Sequence, residues 1–335
     1  MTASSERRVE RFRYEAPTLD CAAEQARYRD LTLPLYDAHV LDPSRGNHVE
    51  MVHLHRLILV HGQVAPVRNE RSSARVRSDG VDQVIATLIL EGETVMEIEG
   101  RRRIVPGGRV QLYDLARVAA HEGNGAPSIS LVIPRDMIEA ILSDLGPLHG
   151  MVLDRMNDMV VQHLRSLVRH GAQLSEPTAA GVARATVELL CAAVQASPEA
   201  QGAASGAPAH VMRDARAYIA ERLCGGDITP GELARAISVS RTRLYEAFAP
   251  YGGVSNYIRD SRLRAIRRAL LDPKERRRVG ELAFAYGFKS EAHFSRSFRE
   301  LFGVAPLSLR TEPKQGGEPA VRDLNGAAVR RWLRD

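Results

Sequence analysis

The sequence predicts an α+β chain: an antiparallel β-barrel with flanking helices, followed by an all-α domain with two helix–turn–helix units. Three observations predict it. Six short strand-like runs separated by Gly and Pro lie before residue 135. Three helical stretches follow them. Near the C-terminus a Glu-Leu-Ala pattern then occurs twice, each time followed by a serine and two apolar residues at the same spacing. At 335 residues and 44% hydrophobic, the chain can bury the cores of two domains.

The strand-like runs come in order. Met51 to Val60 (MVHLHRLILV) alternates and then becomes apolar, and Gln83 to Leu90 (QVIATLIL) has the pattern of a buried strand. Glu91-Gly92-Glu93 turns into Thr94 to Glu99, Gly100-Arg101 turns into Arg102 to Val105, and Pro106-Gly107-Gly108 turns into Arg109 to Tyr113. Ser128 to Ile133 closes the set. Short strands so punctuated form a barrel or jelly roll. Helices are predicted at Asp136 to Leu145, at Met151 to Val168 with Leu153, Met156, Val160, Leu164 and Leu167 on one stripe, and at Thr178 to Ala196. Such a stripe packs either on the barrel or on a second subunit; the spacing leaves both open. Residues 196–209 (ASPEAQGAASGAPA) are small and nearly uncharged, the composition of a linker. The expected division is 1–172 for the barrel domain, 173–206 for a helix and flexible linker, 207–312 for the helical domain and 313–335 for a flexible tail.

The repeated motif reads Gly231 to Phe248 and Gly280 to Phe298. In the first copy Thr229-Pro230-Gly231-Glu232 is a capping box with proline at the first helical position. Ala234 is small enough for a close helix crossing, and Ser240 caps a second helix. Leu244 and Phe248, four apart, share its inner face, which puts Arg241, Thr242, Arg243, Tyr245 and Glu246 outside. In the second copy Gly287 supplies the turn, Ser290 caps, and Phe294 and Phe298 anchor. Glu291, Ala292, His293 and Arg296 then face out. The second helix of such a unit is the one that enters a DNA major groove. A basic helix from Tyr257 to Leu271, ended by Asp272-Pro273, spaces the copies. Residues 207–312 carry 19 Lys+Arg against 12 Asp+Glu, a net +7 within a chain of net +5, so positive charge is concentrated on the repeat. Charge of this kind gives phosphate affinity without sequence specificity.

Residues 207–312 resemble the DNA-binding domain of the AraC/XylS family of bacterial transcription regulators. The resemblance is carried by Val279-Gly280-Glu281-Leu282-Ala283, Gly287-Phe288, His293 to Arg299 and Phe302-Gly303-Val304-Ala305-Pro306. It implies two helix–turn–helix subdomains, seven helices, binding to double-stranded promoter DNA, and recruitment of RNA polymerase by an activator. The implied base-reading residues are Arg241, Thr242, Tyr245 and Glu246, then Glu291, Ala292, His293 and Arg296, with Arg243 on the same exposed face. Arg296 either reads guanine through its paired donors or holds a phosphate. Two departures stand out: Pro250-Tyr251-Gly252-Gly253 loosens the exit of the first reading helix, and Ala305 to Arg310 lacks the usual aromatic residue. The glycine-spaced string Leu90-Glu91-Gly92, Gly100-Arg101 and Val105 to Asp114 resembles the cupin-like ligand-binding half of one branch of the family. That implies a small-molecule effector in the barrel, for which the inward candidates are His53, His55, Ile85, Leu88, Met96 and Tyr113. It also implies a homodimer.

Other function classes are weighed against this. His53-Leu54-His55 puts two imidazoles on one strand face, half of a cupin metal site. The expected glutamate is replaced by Leu59, Val60 and His61, and nothing in the spacing of His39, His48, His61 and His121 requires a third ligand, so no metal and no cofactor are assigned. A metal-dependent enzyme fused to a DNA-binding tail is the remote alternative. A barrel that only dimerises or binds a protein partner is the nearer one. No Ser/His/Asp grouping or phosphate-binding glycine loop stands out, so no catalytic residues are assigned. Three scattered cysteines, no run of 18 apolar residues and a polar N-terminal stretch point to a reduced cytoplasmic setting, beside the nucleoid, without a membrane span.

Overall fold

The computed structural model describes residues 8–78, 81–98, 100–142, 145–198, 200, 207–225, 228–249, 252–271, 275–302, 305–308, 322, 323, 329 and 332. Two compact units divide these residues. The first contains strands β1 (Arg11–Ala16), β2 (Asp37–Val40), β3 (Asn47–Leu54), β4 (Leu57–Gln63), β5 (Val67–Arg71), β6 (Val84–Ile89), β7 (Glu93–Ile98), β8 (Arg101–Pro106), β9 (Val110–Asp114), β10 (Ala119–Gly123), β11 (Pro127–Ile133) and β12 (Arg322–Asp323). Its helices are α1 (Ala22–Thr32), α2 (Ser73–Ser78), α3 (Arg135–Glu139), α4 (Asn157–His170) and α5 (Glu176–Ala196). The second contains α6 (Ala207–Glu221), α7 (Pro230–Ala236), α8 (Arg241–Phe248), α9 (Val254–Leu271), α10 (Val279–Ala285) and α11 (Glu291–Phe302).

The first unit is built of two sheets, in the orders β12-β1-β3-β4-β11-β6-β9 and β2-β5-β10-β7-β8. All of these pairings are antiparallel except the two-residue contact of β12 with β1. The inner strands β6 and β11 of the larger sheet are covered on both faces. On β6, Val84, Ala86 and Leu88 pack with α4 and α5 in one core, whereas Ile85, Thr87 and Ile89 face a cavity between the sheets. On β11, Ile129, Leu131 and Ile133 belong to the helix side and Ser128, Ser130 and Val132 to the cavity side. A period of two with both faces covered makes such strands near-continuous apolar runs. A buried ion pair between Arg135 and Asp114 ties α3 to the end of β9, and His149 Nδ1 accepts the Asp114 backbone N–H at 3.1 Å. The Arg135 guanidinium holds the Asp114 carboxyl below its ordinary range against the opposing effect of burial.

Several expectations need correction. The apolar run Met51 to Val60 is two strands, because His55, at φ +60, and Arg56 turn the chain between β3 and β4. The helix expected from Met151 begins at Asn157. Met156 is left-handed at φ +59, which no continuing helix accepts, and Val152 instead bridges Gln111. Asn157 then pins the helix to the barrel: its Oδ1 accepts from Val110 N at 3.0 Å and its Nδ2 donates to Gly108 O at 2.9 Å. The helix predicted at Asp136 to Leu145 is confined to Arg135–Glu139. Helix α5 is part of the barrel unit's core through Ala179, Ala183, Val187 and Leu190 and is not a linker element. The stretch read as a tail supplies Val329 and Trp332, both 2% exposed. Trp332 sits edge-on to Phe12 at 4.7 Å, stacks on His53 at 5.0 Å, and donates from Nε1 to Glu10 at 3.1 Å.

The second unit repeats one design. Thr229 and Glu232 close the capping box on α7, and Ser240 accepts the Arg243 N–H at 3.3 Å to open α8. In the second copy Glu281 takes the Arg278 N–H at 2.6 Å, and Ser290 takes the His293 N–H at 3.4 Å. The turn residue is left-handed in both: Ser238 at φ +56 and Gly287 at φ +80. A Cβ on Gly287 would also lie 2.7 Å from Arg262 Nη1. Ser238 carries a side chain in the conformation that glycine adopts without steric cost. The two positions should therefore respond with opposite signs. Gly287→Ala should lower stability by about 2 kcal/mol, from backbone strain and the Arg262 clash. Ser238→Gly should raise it by about 0.5 kcal/mol. Chemical denaturation followed by circular dichroism reads both.

Candidate DNA-reading surface and barrel cavity

Both reading helices hang on buried aromatic anchors. Leu244 and Phe248 are fully buried beside Val254, Tyr257 and Ile258, the first half of α9. Phe294 and Phe298 are fully buried with Leu263, Ile266 and Leu270, the second half of α9. In the second copy the rings form a ladder, with Phe288–Phe294 at 5.2 Å, Phe294–Phe298 at 5.4 Å and Phe298–Phe302 at 4.6 Å. With one face so fixed, all nine predicted DNA-facing residues are exposed: Arg241, Thr242, Arg243, Tyr245 and Glu246, then Glu291, Ala292, His293 and Arg296. Tyr245 keeps half its surface free. The first residue of each reading helix lies across the glycine that opens the helix before it. A Cβ at Gly231 would come 2.8 Å from Arg241 Nη2, and one at Gly280 would come 3.0 Å from Glu291 Oε2. The two copies thus present opposite charges at one equivalent place.

The barrel encloses a cavity of about 170 Å³ between its sheets. Its wall carries Tyr14, Tyr28 and Tyr36, the aliphatic side chains of Met51, Val60, Ile85 and Val132, and the polar residues Asn69, Thr87, His121 and Ser130. Among the described residues no Arg, Lys, Asp or Glu belongs to the lining. Asn69 and His121 are cross-strand partners on β5 and β10, and Asn69 Nδ2 lies 3.1 Å from His121 Nε2. Thr87 and Ser130 face each other at 3.0 Å between their hydroxyl oxygens. Burial, with Arg68 nearby, pushes the His121 imidazole down to about 4. Burial pushes the phenols of Tyr28 and Tyr36 up.

Of the six predicted effector residues, only Ile85 lines this cavity. Leu88 is three residues from Ile85 and so points to the opposite face, into the helix-side core. Met96 and Tyr113 pack together with Val105 and Ala119 behind the cavity, the Tyr113 ring 5.4 Å from that of His121. His53 is covered by Trp332, and His55 sits in the turn that follows the strand, so the two imidazoles do not share a strand face. Among the described residues no group of three or more His, Cys, Asp or Glu is placed to hold a metal. The residues that sequence reasoning missed had a signal: Ser128 and Ser130 alternate with Ile129 and Leu131, and Thr87 interrupts an apolar strand. Polar residues at period two inside an apolar strand mark a face that lines a space.

His121 makes this region sensitive to acid. In the folded state the ring stays neutral down to about pH 4, whereas in the unfolded chain it takes a proton near 6.5. The unfolded state therefore binds more protons between these values, and stability falls as pH drops through the window. The loss should be about 2–4 kcal/mol at pH 4. Thermal melts between pH 7 and pH 4 should show a smaller decline for His121→Gln than for the unaltered chain.

A helix–turn–helix domain family matches residues 233–312, the segment that carries both reading helices. A transcriptional activator of Rhodococcus sp, NphR, is 27% identical over 253 residues, covering 72% of this chain and 74% of that protein. The XylDLEGF operon transcriptional activator of Pseudomonas putida is 33% identical over 92 residues, or 27% of this chain and 29% of its own. Among solved structures, that of the AraC-like transcriptional activator CuxR superposes with a TM-score of 0.52 at 27% identity, covering 76% of this chain and 94% of that one. The repeated reading unit and these likenesses agree: residues 233–312 form a helix–turn–helix domain, and the chain is similar to AraC-like transcriptional activators.

Proposed function

We propose that this chain is a cytoplasmic transcription activator that reads promoter DNA with both helix–turn–helix units and is controlled by a small molecule held in the barrel. The observation that carries the reading is the doubled presentation of a reading helix: two helices, each fixed by buried anchors, each with an exposed charged N-terminal row. In the first unit Arg241, Thr242, Arg243, Tyr245 and Glu246 make the DNA contacts. In the second Glu291, Ala292, His293 and Arg296 do so. Residues 207–312 act as the DNA-binding domain. The barrel and its helices sense the effector and join two copies into a homodimer, and the bound activator recruits RNA polymerase. Control requires that the effector bind two states of the protein with different affinity, since a ligand that binds both equally shifts nothing.

The opposite charges of Arg241 and Glu291 imply that the two units read different bases. An arginine donates to guanine, whereas a carboxylate accepts from cytosine and is repelled by phosphate. Selection of genomic fragments bound by the full-length protein should return a site with two unlike elements about one helical turn apart. Random fragments in the bound pool, with and without added metabolites, would remove the reading. Arg296→Ala should weaken specific binding by about 1–3 kcal/mol and relax preference at one base pair. A uniform loss on every sequence would make Arg296 a phosphate contact. Glu291→Ala should alter which base is tolerated in a competition assay and leave the overall affinity nearly constant. An unchanged preference would take Glu291 out of the reading set.

A further inference from the structure

We infer that the barrel cavity takes a neutral, compact, largely apolar molecule of about one ring, which donates a single O–H or N–H hydrogen bond to Asn69 Oδ1. This rests on the reading of the cavity as the effector site and narrows it to a chemical class. Size comes first. A cavity of about 170 Å³ is close to the roughly 150 Å³ that holds benzene in an engineered protein interior. A fused-ring or long-chain molecule would have to extend beyond that space.

Charge comes second. Among the described residues the lining has no side chain that is ionised near neutral pH, and His121, the one basic group in it, is held neutral. A carboxylate or phosphate would lose its hydration and touch no cationic side chain, with only the fields of Arg68 and Arg71 behind the wall in exchange, which costs more than one hydrogen bond returns. An ammonium meets the same cost. It would also lie in the field of Arg68, which already disfavours a proton on His121, and of Arg71, which already favours ionisation of Tyr36.

The polar demand comes third. Asn69 is 8% exposed, and its Oδ1 is buried without a hydrogen-bond partner. Its Nδ2 faces the His121 Nε2 at 3.1 Å, and with the ring accepting there the oxygen is the end left over. A carbonyl oxygen accepts and cannot donate, so the missing partner is a donor. Thr87 and Ser130 on β6 and β11 of the other sheet hydrogen-bond to each other, and neither hydroxyl is left without a partner as Asn69 Oδ1 is. Among the described lining residues two buried polar atoms lack a hydrogen-bond partner, Asn69 Oδ1 and Tyr14 Oη, and of these Asn69 Oδ1 can only accept; a few placed polar groups in an apolar chamber orient a mostly apolar ligand.

Calorimetry and thermal shift on the full-length protein with phenol, toluene, benzoate and benzylamine test the class. Phenol should raise the melting midpoint and bind about tenfold tighter than toluene, the worth of one hydrogen bond to a buried acceptor. Benzoate and benzylamine should give no shift at the same concentrations. Asn69→Leu should bring phenol down to the affinity of toluene and leave toluene unchanged. The ranking of the four probes on the unaltered chain decides the matter even where that variant fails to fold. Benzoate or benzylamine above phenol would overturn the class while leaving the cavity as a ligand site. Equal binding of phenol and toluene would overturn the role of Asn69. No shift with any of the four would overturn the cavity reading itself, and the class with it.

Discussion

The first unit depends on one constraint: the inner strands β6 and β11 of its larger sheet must be covered on both faces. One face has to bury α4 and α5, and the other has to wall a cavity. Because side chains alternate, each strand meets both demands at once, so Val84, Ala86 and Leu88 serve the helices while Ile85, Thr87 and Ile89 serve the chamber. A shift of one residue in register would exchange the two sets. The chamber wall and the helix-side core are therefore fixed by the same backbone hydrogen bonds. A ligand that alters the chamber acts on a surface whose reverse side is the helix core.

In the second unit the equivalent constraint is α9. Its first half closes the core of the first reading unit and its second half closes that of the second. The 18 residues of this helix thus set the spacing of two separately cored modules without a flexible joint between them. The energetic consequence is that each reading helix is held by its own buried pair, Leu244 with Phe248 or Phe294 with Phe298, while the spacing is held by backbone hydrogen bonds alone. Sequence change on the exposed rows leaves both intact. That is why the copies can carry arginine at one equivalent position and glutamate at the other.

Legibility in the sequence followed how local the determining interactions are. The helix–turn–helix units were readable because caps, turns and anchors lie within four residues of one another: Thr229 with Glu232, Ser240 with Arg243, Leu244 with Phe248. The strands around Gly92, Gly100 and Pro106 were readable for the same reason. What was not readable was which face of a strand meets which neighbour. Ile85 and Leu88 both look inward by hydropathy, yet their separation of three puts them on opposite faces. Asn69 stands between Arg68 and Glu70 in a strand that reads as solvent-facing. Only its cross-strand pairing with His121 places it inside. His53 read as a ligand to an ion or effector because its cover, Trp332, lies some 280 residues further along the chain.

Trp332 and Val329 belong to the barrel unit although they follow the helix–turn–helix segment in the sequence. Val329 belongs to the cavity wall, and Trp332 is held by Phe12, His53 and Glu10 on the first strands of the barrel. The same chain reaches these residues only after it has passed through both reading units. The sensor's wall is thus completed by residues that follow the DNA-binding segment, and the two units are joined covalently at both ends of that segment. A ligand that satisfies Asn69 and packs against Val329 stabilises the completed wall over an opened one, by an amount that grows with its concentration relative to its dissociation constant.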